Sequence, residues 1–229
     1  MNGKLIVIEG LDGSGKNTQT KLLVDYLIKS KTEYKTENVK YISFPNYSSQ
    51  SSALVKMYLN SEFGKKPEDV NAYAAASFYA VDRYADFKKN WENFYKNPSN
   101  IVVCDRYTTS NAIYQMCKLA EENWPTYLTW LYDYEYDKLG LPKPTAVIYL
   151  EMPIDVSQDL MKKRYGGDES KKDLHEANLK FLKTCEKAAK YISAQDNWFN
   201  IACTENGKIK SKEKVHDEII NFLQKNILN

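Results

Sequence analysis

Patterns that would staple a chain or hold a metal are scarce in this sequence. Its four cysteines, Cys104, Cys117, Cys185 and Cys203, include no pair at CxxC spacing, and its two histidines are His175 and His216. That distribution argues against a zinc site or a disulfide framework, and for buried free thiols in a reducing compartment. An excess of one charge is lacking too. Lys and Arg total 32 against 30 Asp and Glu, a net charge of +2. Coating nucleic acid or an anionic membrane through bulk charge needs more than this. No apolar run approaches the roughly 20 residues of a membrane helix. The opening stretch Met1–Gly10 holds too few apolar residues in a row for a signal peptide. These gaps point to a cytoplasmic protein with neither membrane nor nucleic acid as partner.

Core material, by contrast, is plentiful. Hydrophobic residues make up 43% of the 229 and aromatics 13%, which excludes a disordered chain. A domain typically runs about 100–200 residues, so residues 1–229 suit a single domain. Short apolar runs lie at Leu5–Ile8, Val39–Ser43, Ile101–Cys104, Ala146–Leu150 and Trp198–Ala202. Several are rich in Val and Ile without polar alternation, as parallel strands buried on both faces are. Helix-like segments separate them. Leu22, Leu23, Tyr26 and Leu27 share one helical face. Tyr73, Ser77, Ala80, Tyr84 and Phe87 share another, and Val215, Ile219, Leu223 and Ile227 a third. This alternation predicts an α/β fold with a mostly parallel sheet. The charged stretch Lys162–Lys172, which contains Gly166 and Gly167, reads as a mobile excursion outside the core.

The first apolar run is followed by Gly10-Leu11-Asp12-Gly13-Ser14-Gly15-Lys16-Asn17-Thr18, the GxxxxGK spacing of a phosphate-binding loop. Gly10, Gly13 and Gly15 let the backbone N–H groups turn inward around a phosphate. The helix that follows adds its positive N-terminal end. Lys16 would reach the β- and γ-phosphates. Ser or Thr usually comes next and meets Mg²⁺; here Asn17 stands there, either offering an amide oxygen as a less ideal ligand or leaving the metal to water and carboxylates. Thr18, one residue on, is expected to point elsewhere on the helix. The third run ends in Asp105-Arg106-Tyr107. A carboxylate at the carboxyl end of a buried strand sits on the ligand-binding edge of an open α/β sheet. Asp105 is therefore a candidate for ordering magnesium and its water, and Arg106 a candidate phosphate clamp. A simple Asp105–Arg106 ion pair is the alternative.

The phosphate loop, Phe44-Pro45-Asn46-Tyr47, Tyr79-x-x-x-Arg83 and Asp105-Arg106-Tyr107-Thr108-Thr109-Ser110-Asn111-Ala112-Ile113-Tyr114 together resemble the thymidylate kinases, a family of nucleoside monophosphate kinases. The resemblance spans most of the chain. It implies a five-stranded parallel sheet wrapped by helices, of P-loop nucleoside monophosphate kinase type, with a lid over the phosphates at about 162–173. It implies transfer of the ATP γ-phosphoryl group to dTMP, Mg²⁺ as cofactor, and a homodimer. Gly10 to Thr18 would hold ATP, with Asp12 also near the deoxyribose 3′-hydroxyl of the acceptor. Phe44, Pro45 and Tyr47 would border the monophosphate pocket, and Leu59 either walls the base pocket or simply packs its helix. Tyr79 would stack on thymine while Arg83 donates to its O4. Asn111 would accept the thymine N3–H, which cytosine lacks. Tyr114 would crowd the ribose 2′ position, and Ser110 would support one of these contacts; Gln115 reads as surface. Family members carry a catalytic arginine in the P-loop or in the lid. Gly13 and Ser14 supply none, so the resemblance assigns Arg164, helped by Lys171 or Lys172. Asp173 and Glu176 would meet on one helix face near the monophosphate and its metal, with His175 as packing.

Competing readings are a kinase for another deoxynucleotide or deoxynucleoside, and a P-loop protein that binds nucleotide without turnover. A GTPase-type switch is disfavoured because the chain has no N-K-x-D pattern.

Overall fold

The computed structural model describes residues 2–29, 36–168 and 173–228; Lys171 and Lys172 lie outside the described residues. Five strands, β1 (Lys4–Gly10), β2 (Val39–Ser43), β3 (Ile101–Asp105), β4 (Ala146–Glu151) and β5 (Phe199–Ala202), form one sheet in the order β2-β3-β1-β4-β5. Every pairing in it is parallel. The strand order reverses beside β1. In open α/β sheets the ligand crevice opens at such a switch point, outside the carboxyl ends of the strands. The phosphate loop and Asp105 both emerge there.

The unbroken apolar runs are explained by cover on both sides. Alternate side chains of a strand face opposite ways. Ile6 and Ile8 of β1 pack with Leu23 and Leu27 of α1 (Lys16–Lys29) and with Val215, Ile219 and Leu223 of α9 (Lys212–Asn226). Leu5 and Val7 pack instead against Phe44, Phe87 and Trp91. A further cluster joins α5 (Thr108–Tyr114), α6 (Trp124–Tyr132) and α8 (Leu179–Gln195) to Tyr149 of β4. The remaining helices are α2 (Ala53–Leu59), α3 (Ala72–Asp86), α4 (Glu92–Tyr95) and α7 (Ile154–Arg164). A short antiparallel hairpin, β6 (Thr204–Glu205) with β7 (Lys208–Ile209), follows β5. Among the described residues no helix is long and apolar enough to cross a membrane.

Three details depart from the sequence-based expectation. Helix α3 runs on into a π-helical turn at Phe87–Trp91, and α6 into another at Asp133–Lys138. Tyr84 is exposed, whereas Asp82, Arg83 and Asp86 are buried. Polar partners, described below, override the apolar periodicity of α3. Lys162–Arg164 do not belong to an excursion; they form the last turn of α7, where cations complement the helix dipole.

Candidate functional site

Between β1 and α1 the chain wraps tightly. Gly13 has φ +79°, and a Cβ there would stand 2.8 Å from the Ser157 carbonyl oxygen, so only glycine lets α7 approach. Gly15 has φ +89° with open space beside it, which leaves room for a ligand against the backbone. Lys16 is buried, and its Nζ donates to the Leu11 carbonyl at 2.8 Å, folding back across its own loop. Burial and the Arg106 charge lower its ammonium to about 8. A polyanion in the loop would reverse that penalty. The Ser14 hydroxyl is buried with no hydrogen-bond partner among the described residues. Gly13, Gly15, Lys16, Asn17, Asp105 and Arg164 line a cleft of about 640 Å³. Thr18 borders the same cleft, contrary to the expectation that it points elsewhere.

Arg106 follows the end of β3 with φ +65°, a conformation that costs a non-glycine residue energy and clusters at functional sites. Its guanidinium donates to the Asp12 carboxylate, to Ser110 Oγ at 3.3 Å and to the Tyr114 hydroxyl at 3.3 Å. It also lies 5.0 Å from the Tyr114 ring centre and 3.6 Å from Glu9. The ion pairs are thus with Asp12 and Glu9 and not with the neighbouring Asp105. Tyr114 donates to the other Asp12 oxygen at 2.9 Å. Burial raises the Asp12 carboxyl, but Arg106 and Lys16 outweigh it and hold the group well below the usual carboxylate range. Glu9 was not singled out from the sequence. It is fully buried and accepts hydrogen bonds from Thr109 and Ser110, each at 2.8 Å, tying α5 to β1. The one signal for it was a carboxylate inside an apolar run.

A second, narrower cavity of about 70 Å³ continues from the first. Asp12, Phe44, Pro45, Tyr47 and Arg106 line both. Leu59, Tyr79, Arg83, Ser110, Asn111, Tyr114 and Asp173 line the inner one. The Phe44–Pro45 bond is cis. Its loop is held by α3: Asn46 N donates to Asp82 at 2.8 Å, and Asn46 Nδ2 to Asp86 at 2.9 Å. These bonds explain why α3 buries carboxylates. Leu59 and Tyr79 also pack with Tyr58, so Leu59 both walls the cavity and packs its helix. Tyr47 is 55% exposed at the cavity mouth. Arg83 is buried, with Nε and Nη2 bonded to Glu135 at 2.7 and 2.5 Å. Asn111 Nδ2 donates to the Ala76 carbonyl at 3.0 Å and to Glu135 at 2.8 Å. Both amide hydrogens are then spent, and the amide oxygen is what Asn111 has for a ligand. Gln115 is not surface: it is 1% exposed, lines the inner cavity, and its Oε1 has no partner among the described residues.

Residues 174–177 form turns, and α8 begins only at Leu179, so Asp173 and Glu176 do not share a helix face. Asp173 Oδ1 accepts from the backbone N–H of His175 and Glu176, each at 2.9 Å. Glu176 turns away from the cavity and accepts from the Tyr165 hydroxyl at 2.9 Å. His175 stacks on Tyr114 and contacts the Tyr58 hydroxyl at 3.0 Å. Burial, with Lys118 nearby, lowers it to about 3, so it is neutral at pH 7, and it also lines the inner cavity. Burial and the Asp12 charge push Asp173 up to about 7. An acid raised in the folded state aids folding below its ordinary value and loses that aid as pH climbs through 7. Each pK unit is worth about 1.4 kcal/mol. Asp173→Asn should therefore lose less Tm than the wild type between pH 5 and pH 8. Parallel pH profiles in thermal melts would contradict this.

The resemblance implies Mg²⁺, and the donor set suits it. Mg²⁺ is held by one or two carboxylates plus phosphate oxygens and water. Asp105 and Asn17 line the same cleft as Lys16. Asn17 Nδ2 donates to the Tyr41 hydroxyl at 3.1 Å, which leaves its amide oxygen for a cation.

A family model for thymidylate kinases matches residues 8–219. The thymidylate kinase of Plasmodium falciparum is 29% identical over 228 residues, covering 97% of this chain and 90% of that one. The thymidylate kinase of Caenorhabditis elegans is 32% identical over 173 residues, covering 74% and 70%. The solved thymidylate kinase of Candida albicans superposes with a TM-score of 0.72 at 21% identity, covering 98% of this chain and 92% of that one. That from Ehrlichia chaffeensis gives 0.67 at 20%, covering 98% and 100%. At these identities the superpositions show the fold, and the fold is that of a P-loop nucleoside monophosphate kinase.

Proposed function

This chain belongs to the thymidylate kinase family, and from that membership we propose how its residues share the work of the reaction. The γ-phosphoryl group of ATP passes to dTMP, giving dTDP and ADP. The division of labour rests on one observation: the wide cleft at the phosphate loop and the narrow cavity beyond it meet at Asp12 and Arg106. Donor phosphates belong in the first and the nucleoside monophosphate in the second.

Phosphoryl transfer needs positioning and charge stabilisation more than covalent help. The loop amides of Gly10 to Gly15 and the ammonium of Lys16 hold the donor phosphates. Arg106, fixed by Asp12, Tyr114 and Ser110, presents its remaining donors to the acceptor phosphate at the junction. That phosphate is already ionised at pH 7, so no general base is required. Asp105 and Asn17 would hold Mg²⁺, which supplies charge neutralisation at the phosphates when bound. Arg164, at the end of α7, reaches the donor cleft from the lid side and covers the transferring group. Closing the lid excludes water that would otherwise consume ATP.

In the inner cavity Tyr79 offers a face for the base, Arg83 a donor for O4, and Asn111 an acceptor for N3–H. Tyr114 fills the space beside the 2′ carbon, and Asp12 accepts from the 3′-hydroxyl. ADP release across a panel of nucleosides and monophosphates tests this. The wild type should favour dTMP, and Asn111→Ala should narrow its preference over dCMP. An unchanged ratio would reject the role of Asn111, and turnover on nucleosides alone would point to a deoxynucleoside kinase.

The partner is a second copy of the chain. Val81 and Tyr84 on α3 and Leu54 on α2 are exposed apolar residues of one packed helix pair, a surface that a homodimer would cover. Sedimentation at micromolar concentration should give a dimer, and a monomer would sink the idea. The four free, buried thiols suit a cytoplasmic setting, which cell fractionation reads directly.

A further inference from the structure

Glu135 lies far in sequence from every motif above and on the π-helical turn Asp133–Lys138. It is fully buried, yet it accepts four side-chain hydrogen bonds. Arg83 gives two, from Nε and Nη2; Thr108 Oγ1 gives one at 2.7 Å, and Asn111 Nδ2 one at 2.8 Å. A carboxylate in water needs no such enclosure. Buried, it must be matched on every lone pair, and here it is. Two of its donors are the residues that face the base. π-helical turns recur at functional sites because they place a side chain where a regular helix would not.

We propose that Glu135 is the positioning residue that sets base selection. The inference rests on the thymidylate kinase reading of the inner cavity. A carboxylate has only acceptors. The Asn111 amide beside it must therefore turn its nitrogen inward, and the Ala76 carbonyl demands the same. The reverse orientation would set oxygen against oxygen at both contacts. The amide oxygen is left for the base, and it accepts a ring N–H. Thymine has one at N3, whereas cytosine has a lone pair there. The same carboxylate grips the Nε–Nη2 edge of Arg83 in a two-point fork, which fixes the plane of the guanidinium. Arg83 then meets the base with donors alone, which suits the O4 of thymine and repels the 4-amino group of cytosine. One carboxylate thus writes an acceptor–donor code on two separate helices.

The decisive variant is Glu135→Gln. It keeps the shape but offers an NH₂ where one oxygen was. Wherever that NH₂ sits it faces an Arg83 N–H, so the fork loses one of its two points; at the Oε1 position it also faces Asn111 Nδ2, which the Ala76 carbonyl alone then holds. Sites built to hydrogen-bond one pattern discriminate strongly against its inverse. The ratio of kcat/KM for dTMP over dCMP should fall by about 10-fold or more. Most of the fall should come from KM, because the phosphate groups at the junction are untouched. A purely structural role would lower both substrates alike and leave the ratio unchanged within twofold, which would overturn the proposal. Glu135→Gln leaves the Arg83 charge without its partner and risks the fold. Glu135→Asp covers that case: it keeps the charge, and the flexible Arg83 can follow the shorter side chain while Asn111 on α5 cannot. Its ratio should fall too, and an unchanged ratio in folded Glu135→Asp overturns the proposal equally. A wild type that does not turn over dTMP would instead remove the family reading and this inference with it.

Discussion

Lys16→Ala is expected to lower kcat by about 10²–10³-fold, the usual loss when one preorganised donor to a charged transition state is removed, and to leave the fold intact. The structure separates the two effects. Lys16 is buried and its ammonium is pulled down to about 8, first by burial and then by Arg106. A base depressed in the folded state costs stability at pH 7, and the cost fades as pH rises from 8 toward its ordinary value. Removing it relieves that cost and gives up one hydrogen bond to the Leu11 carbonyl, worth about 1 kcal/mol. At about 1.4 kcal/mol per pK unit the relief exceeds the lost bond, which leaves a margin against the buried methylenes that also go, so the variant should stay folded at pH 7. The catalytic loss has no such offset, because Lys16 is the ammonium of the phosphate loop itself. Steady-state ADP release together with a thermal melt reads both. Wild-type turnover in a folded Lys16→Ala enzyme would remove the kinase mechanism drawn here.

The parts of the molecule that can be read from the chain are those whose signals are local. All five strands stand where an apolar run stands; β1 and β3 are buried along nearly their whole length without polar alternation, whereas the edge strands β2 and β5 are partly exposed. The phosphate loop is legible because its glycines and Lys16 are contiguous and each answers a backbone demand. The inner cavity collects Asp12, Tyr47, Tyr79, Arg106 and Asn111, which are spread over four motifs, since each motif follows a strand or lies on a helix at the same sheet edge.

The parts that cannot be read are those decided by a distant polar partner. Asp82 and Arg83 fall on a buried face of α3, while Tyr84 is exposed, because their partners come from Asn46, Ser51 and Glu135. Hydrophobic periodicity is blind to such pairs; it assigns burial to the aromatic and exposure to the charge. Gln115 is buried for another reason: it lines the inner cavity, and its Oε1 finds no partner among the described residues. Glu135 sits in a run of acidic and aromatic residues that looks solvated, and only the π-helical turn directs it inward. Nothing in the spacing of Asp173 and Glu176 reveals that the first caps the next turn while the second reaches Tyr165.

Arg164→Ala should lower kcat by about 10²-fold or more and barely move KM for dTMP. The argument begins with what is already in place. Lys16 is folded onto its loop and Arg106 is held by three partners, so both are preorganised before any ligand arrives. Neither lies on α7. Arg164 does: it ends α7, lines the donor cleft and is exposed. Its guanidinium lies 5.7 Å from the Tyr165 ring centre. The Tyr165 hydroxyl bonds to Glu176 in the segment before α8, so the end of α7 is tied to the wall of the inner cavity. An exposed cation at such a place adds little to ground-state binding, because water screens it. In the closed, water-free state proposed above, the same charge would act at low dielectric on the negative charge of the transferring group. A loss confined to the closed state appears in kcat. The fold should be indifferent, since exposed substitutions usually stay within about 0.5 kcal/mol. Arg164→Lys should recover only part of the rate, because an ammonium supplies charge without the planar fork. If Arg164→Ala raised KM and left kcat alone, the residue would be a binder of ATP and not the charge that covers the transferring group.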